Sequence, residues 1–306
     1  MTPPADPHFA PRRSRRVLGP LFWAACLLAT TTGVVVLAIL LGAIFHAVAR
    51  GSTAPEVLAL LGRLARSTGT TDPDLAGFKV GIFGSLWLIG LVFATAIPVG
   101  VGAAVFLEEY APPGRVRRLV QINIANLAAV PSIVYGILGL AVLVRGLGLK
   151  RLAMGPVLWA GGLTLSLLVL PVVVIATQEA LRAVPGSLRQ AALALGATKW
   201  QVIRDHVLPS ALPGILTGAI LSLSRAIGET APLLMVGAAA GISRVPTGLK
   251  SRYSALPVQI YNFAKEPDPG FRVVAAGGIL LLLAMLLAMN ATAIVIRNRY
   301  GRSARG

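Results

Sequence analysis

The chain has 306 residues, 56% of them hydrophobic and only 13% charged, with a mean hydropathy of +0.78 and a formal net charge of +17. Soluble domains carry about 25% charged residues, so this composition excludes a soluble globular domain, and so much apolar surface excludes a disordered chain. The single cysteine, Cys26, and three scattered histidines, His8, His46 and His206, offer no disulfide framework and no His or Cys metal cluster, and no cofactor is expected.

The charged residues fall in gaps between apolar runs. They therefore read as membrane-topology signals, with lipid rather than nucleic acid as the surrounding partner. In chain order, 33 residues without Asp, Glu, Lys or Arg lie between Arg16 and Arg50, 28 between Lys79 and Glu108, 26 between Arg118 and Arg145, and 27 between Arg151 and Glu179. Asp205 and Arg244 enclose 38 residues interrupted only by Arg225 and Glu229, and Arg272 and Arg297 enclose 24. A spanning helix needs about 20 apolar residues. The runs predict six transmembrane helices over 18–46, 80–107, 119–144, 156–178, 211–237 and 273–296. The fold class is all-α membrane protein: an N-terminal helix followed by a five-helix core over 80–296.

Between the spans, 1–17 is a basic tail, 47–79 an external loop with a short helix at 55–66, and 297–306 a second basic tail. The first run is much longer than the apolar core of a signal peptide, so an uncleaved first helix is expected. With both termini inside, 15 Lys and Arg face inward and 12 outward; each tail sets four arginines against a helix end, which places both termini in the cytoplasm.

The loop over 179–213 is patterned. Pro185-Gly186 ends the preceding helix, and Ser187-Leu188-Arg189-Gln190 has the form of a capping box. Apolar residues follow at 188, 191, 192 and 195, and Gly196 supplies a left-handed stop. Thr198-Lys199-Trp200-Gln201 repeats the capping pattern, with Trp200, Ile203 and Val207 on one face and Pro209 and Pro213 framing the start of the next span. Two short amphipathic helices bent at Gly196 would suit either a headgroup-lying segment or a docking helix for a soluble partner.

Gln190-Ala191-Ala192, then Gly196, then Leu208-Pro209 resembles the EAA loop of ABC importer permeases, with Gln190 where Glu is usual and His206 where Ile is usual. Leu107-Glu108-Glu109-Tyr110-Ala111-Pro112, Val130-Pro131-Ser132-Ile133-Val134-Tyr135-Gly136, Arg225-Ala226-Ile227-Gly228-Glu229-Thr230-Ala231-Pro232 and Leu256-Pro257-Val258-Gln259-Ile260-Tyr261 are similar to the PstA-type permeases of phosphate ABC importers, over about residues 80–296. The resemblance implies the MetI-like type I importer fold, inorganic phosphate as substrate and a bacterial inner-membrane location. It also implies a PstC-like second permease subunit, a PstB-like ATPase dimer and an external PstS-like phosphate-binding protein. It makes Ser187, Gln190, Ala191, Ala192, Gly196, Leu208 and Pro209 the segment that couples to the ATPase. Other oxyanion importers (sulfate, molybdate, phosphonate), an ion-driven carrier and a channel are the alternatives.

Arg225 and Glu229 lie four residues apart inside an apolar stretch, where each charge costs about 2.5–3.5 kcal/mol on insertion scales. Two roles fit them: a neutral pair that binds helices together, or an anion step in which the planar fork of Arg225 meets a tetrahedral oxyanion and Glu229 keeps that site shallow. The resemblance implies the second. Glu108 and Glu109, beside Arg115, Arg117 and Arg118, read as a solvated ion-pair loop rather than a catalytic carboxylate pair. No P-loop run is present, so ATP hydrolysis is expected from a separate subunit and the chain is not expected to be an enzyme.

Overall fold

The computed structural model describes residues 14–49, 54–69, 71–238, 242 and 244–303, which form two compact units, 1–52 and 53–306. Arg12 and Arg13 of the N-terminal tail and Arg305 of the C-terminal tail lie outside the described residues.

The first unit contains one helix, α1 (Ser14–Ala49). Its Thr30, Thr31 and Thr32 hydroxyls donate to the carbonyls of Cys26, Leu27 and Leu28 at 2.8, 2.8 and 2.7 Å, so three consecutive polar side chains are satisfied within the helix. That is how a threonine run is tolerated in a span that has no water to offer.

The second unit contains α2 (Ala54–Arg66), α3 (Lys79–Val105), α4 (Arg115–Ala129), α5 (Ser132–Gly139), α6 (Leu158–Arg182), α7 (Gly186–Ala194), α8 (Lys199–Gln201), α9 (Leu208–Gly228), α10 (Ala231–Val236), α11 (Leu256–Lys265) and α12 (Gly270–Ser303). Wider π turns continue α3 over Phe106–Tyr110 and α5 over Leu140–Val144, and a third, Val202–Val207, joins α8 to α9. Across the described residues of both units, five helices are long and apolar enough to cross a membrane, and α4 with α5 forms a bent pair that counts as a sixth crossing if taken as one span.

That pair corrects the continuous helix expected over 119–144. The chain turns by 98° between α4 and α5. Pro131 has no N–H to donate, and it drives Val130 into an extended conformation (φ −65°, ψ 133°). No residue of α4 is buried in this chain.

The expected helix over 211–237 is also corrected. A rod runs continuously from Lys199 to Gly228, with Pro209 and Pro213 inside it rather than before it, and it stops at Glu229 (φ −76°, ψ 110°) before α10 resumes at Ala231. Pro209 sits in the first turn of α9, where its missing N–H costs little.

Parallel helices α3 and α6 form the centre. Leu88, Val92 and Ala96 of α3 pack against Leu165, Val169 and Val173 of α6, with Leu233 of α10 in the same cluster. The approach of α9 to α6 depends on small residues: a Cβ on Gly218 would lie 2.5 Å from the Ala176 Cβ. α12 runs antiparallel to α9, joined by Ser224 to Asn290 (2.6 Å) and Arg297 to Thr217 (3.4 Å). Asn290 is therefore a helix–helix contact.

At one end of the bundle, Leu64 of α2, Phe78, Leu256, Ile260 and Phe263 of α11 and Phe271 form a separate apolar cluster. The segment 54–79 is thus packed structure rather than a bare linker. Its short helix stands where 55–66 was expected, Leu64 is fully buried, and Phe78 N–H donates to the Leu64 carbonyl at 2.7 Å. α11 seats on α3 through Gly81 N–H to Gln259 (3.0 Å) and Leu256 N–H to Ser85 (2.9 Å).

Candidate functional site

Two groups of charged residues stand out, one at each half of the bundle. The first surrounds α7, at the end where α3 and α6 finish and α9 begins. Thr198 caps α8 as expected: its hydroxyl accepts from Gln201 N–H, and the Gln201 side chain returns to the Thr198 backbone at 2.8 Å. Gly196 takes φ +86°, the left-handed conformation that its place after the helix requires, with open space where a side chain would be. The capping box at Ser187 is absent. The residue before the helix is Pro185, and Ser187 already lies in the first turn, so its hydroxyl is not at the cap.

The apolar stripe of α7 divides between two environments. Ala192 is buried and Leu188 packs with it against Leu107, Leu181, Val184 and Val207. Gln190, Ala191, Leu193 and Leu195 face outward, Leu195 with 89% of its surface exposed. Ile203 and Val207 are buried while Trp200 is exposed, because the π turn over Val202–Val207 shifts the face of the rod away from a straight α-helical stripe. Leu208 packs on the same cluster, and Pro209 is exposed.

Glu108 and Glu109 do not form the solvated loop expected from their neighbours in sequence. They sit in the π turn ending α3, with side chains only 9% and 10% exposed, because arginines from three other helices close over them. Glu108 pairs with Arg117 of α4 at 3.0 Å and Arg182 of α6 at 2.6 Å. Arg189 of α7 donates to Glu109 through Nε at 3.2 Å and Nη2 at 2.8 Å, and also reaches the carbonyls of Val184 (2.8 Å) and Leu181 (2.9 Å). Local sequence had pointed to Arg117 alone among these partners; Arg182 and Arg189 lie more than 70 residues away.

The second group is Arg225 with Glu229. Their 3.4 Å contact survives the end of the helix at Gly228, since Glu229 is the first residue beyond it. The side chain of Arg225 is 46% exposed and that of Glu229 18%. Only Nε is committed to Glu229, which leaves the Nη groups as free donors on the bundle surface. Tyr135 of α5 donates to the Leu127 carbonyl of α4 at 2.8 Å, tying the two arms of the elbow together. Gly136 brings that elbow against α10, where an added Cβ would lie 2.6 Å from Pro232.

The described residues thus combine apolar helices long enough to span a membrane, a mid-chain loop of short helices and a charged pair at a break in one of those spans. Residues 96–302 match the family described as the binding-protein-dependent transport system inner membrane component. The chain belongs to this family. It is therefore a multi-pass membrane component of a transport system, not an enzyme. The phosphate transport system permease protein PstA 1 of Mycobacterium tuberculosis (strain CDC 1551 / Oshkosh) is 36% identical over 222 residues, covering 72% of this chain and 70% of that protein. The phosphate transport system permease protein PstA of Xylella fastidiosa (strain Temecula1 / ATCC 700964) is 34% identical over 236 residues, covering 76% and 80%. Among solved structures, a bacterial alginate ABC transporter in complex with an alginate-bound periplasmic protein gives a TM-score of 0.67 at 17% identity over 95% of this chain and 98% of that one. The inward-facing MetNI methionine transporter gives 0.57 at 19% over 73% and 97%. These likenesses establish the MetI-like importer fold.

Proposed function

We propose that the chain is a permease subunit of an ATP-driven phosphate importer of the bacterial inner membrane, with Arg225 and Glu229 on the substrate pathway and α7 as the segment that couples to the ATPase. Relatives named as phosphate permeases support the substrate. The observation that carries the site is Arg225, a guanidinium with free donors held by Glu229 at a break in a membrane helix. A helix entering the membrane near residue 212 carries Arg225 roughly 20 Å along, past the middle of an apolar core about 30 Å thick. A permanent charge there is expensive unless it serves a pathway or a partner. Its fork matches a tetrahedral oxyanion, and the adjoining carboxylate keeps the anion from being held too tightly to leave.

Half of a pathway needs its other half. The unburied α4 and the half-exposed Arg225 suit a second, PstC-like permease across that face. A PstB-like ATPase dimer would dock on the exposed residues of α7, including Ser187, Gln190 and Ala191, with Gly196 setting the bend and Leu208-Pro209 opening α9 within the rod that follows. A PstS-like binding protein would deliver phosphate at the opposite end, near α2 and α11. In this reading the end holding α7 and Arg297 is the cytoplasmic one, which supports a C-terminus inside. A C-terminal reporter active only outside would contradict that orientation. Phosphate uptake in a strain lacking only this chain should fall and be restored by its return. Unchanged phosphate uptake with lost sulfate or molybdate uptake would transfer the pathway to another oxyanion.

A further inference from the structure

We infer that Glu109 and Arg189 are positioning residues of the coupling step, locking α7 to the end of α3 so that a push on α7 moves the central helices instead of being absorbed in the loop. This inference rests on α7 being the ATPase-docking segment.

The attachment of α7 to its chain neighbours is slack by construction. Pro185 precedes it, Gly186 is its first residue and Gly196 follows it, and around neither glycine does an added Cβ meet another part of the protein within 4 Å. Within the helix, Ala192 is the only buried residue. With only half-buried Leu188 packed beside it, that is a small contact for a nine-residue helix, and it would let α7 pivot between its two turns. Arg189 removes that freedom. Its guanidinium bonds at once to the α3 π turn, through Glu109, to the Leu181 carbonyl in the last turn of α6, and to the Val184 carbonyl just beyond it. One side chain thereby joins α7 to both central helices, and its planar fork fixes direction as well as distance.

The same π turn holds the other arm of the loop. Tyr110, next to Glu109, has the Lys199 ammonium 5.1 Å from its ring centroid, at the start of the rod that continues into α9 and ends beside Arg225. Residues 109 and 110 therefore grip the chain on both sides of the Gly196 bend. A load applied to the exposed residues of α7 is delivered to α3, α6 and the rod together. Glu108 is bound to Arg117 and Arg182 and has no hydrogen bond or ion pair to α7 among the described residues, so it stabilises the platform without being part of this link.

The test uses the whole complex reconstituted in vesicles with the binding protein, measuring ATP hydrolysed per inorganic phosphate imported. Glu109→Gln removes the charge but keeps an oxygen acceptor; Glu109→Ala removes both. Both variants are expected to assemble with the ATPase and to hydrolyse ATP, with the ATP-to-phosphate ratio raised about threefold or more in the alanine variant and less in the glutamine one. Arg204→Gln, which breaks the exposed 3.2 Å pair with Asp205, serves as the control and should leave the ratio unchanged. A normal ratio in Glu109→Ala would overturn the inference, as would failure of both Glu109 variants to assemble, which would make the pair a folding contact. If the unsubstituted chain itself does not bind the ATPase, the docking assignment fails instead, and the two failures are told apart.

Discussion

The carboxylates at the end of α3 and the pair at the end of α9 use the same two side-chain chemistries in opposite ways. Glu108 and Glu109 are nearly enclosed: both oxygens of Glu108 are taken up by Arg117 and Arg182, and one oxygen of Glu109 accepts two bonds from Arg189. Arg225 has one carboxylate, a single contact at 3.4 Å, and close to half of its side chain exposed. The first arrangement has little capacity left for a ligand and serves to hold four helices in register. The second leaves unsatisfied donors in a setting where donors are costly, as a group waiting for an anion does. What separates the charge cluster from the proposed transport pair is how far the carboxylates are enclosed, 9% and 10% exposed against 18%, and the place of Arg225 at a break in a membrane helix, not the presence of charge in an apolar protein.

Substitutions can break that contrast, and the largest effect is expected where α7 turns. Gly196→Val puts a β-branched residue at φ +86°, a left-handed conformation that costs L-residues about 1–2 kcal/mol or more. Uptake should be lost while the chain still inserts, whereas Gly196→Asn should retain most of it because asparagine tolerates this region. Membrane fractionation beside uptake distinguishes the two, and normal uptake by Gly196→Val would remove α7 from coupling. Next comes Arg225→Lys, which keeps the charge but loses the fork. Uptake should drop by roughly tenfold, the equivalent of about 1.4 kcal/mol, in an assembled complex. Smallest is the stability contrast. Glu108→Ala removes the carboxylate that Arg117 and Arg182 share, leaving Arg182 only its exposed contact with Glu179, and should lower stability by about 1–3 kcal/mol, less than a fully buried pair would because Arg182 is partly solvated. Glu179→Ala removes an exposed i,i+3 partner of Arg182 and should cost less than about 0.5 kcal/mol. Thermal melting of the purified complex compares them; equal shifts would contradict the enclosed platform.

The features legible in sequence were those set by local chemistry. Uninterrupted apolar runs mark α1, α3, α6 and α12, Gly196 marks its own turn, Thr198 and Gln201 mark their cap, and the four-residue spacing of Arg225 and Glu229 marks their contact. The bend between α4 and α5 is written in Val130-Pro131, but the continuous uncharged run on both sides masks a single proline. α11 was hidden because a ten-residue helix with a buried Gln259 matches neither a span nor a polar loop. Its one local signal is Pro257 in the first turn. The partners of Glu108 and Glu109 were hidden for a different reason. Arg182 and Arg189 are brought to them by the parallel packing of α3 and α6, which no short-range pattern encodes, and nearest neighbours in sequence supplied only Arg117.

The most direct test of the transport role removes both charges of the α9 pair together. Arg225→Gln/Glu229→Gln takes away the buried-charge cost while keeping most of the volume and hydrogen-bonding capacity, so packing between helices should survive. Phosphate uptake is measured alongside assembly with the second permease and the ATPase. If Arg225 guides the anion, the double variant assembles normally and uptake falls by roughly 10- to 100-fold, in keeping with the loss of a charge-assisted hydrogen bond of about 1.5–3 kcal/mol. Near-normal uptake by the assembled double variant would contradict the account and leave Arg225 and Glu229 as a packing contact.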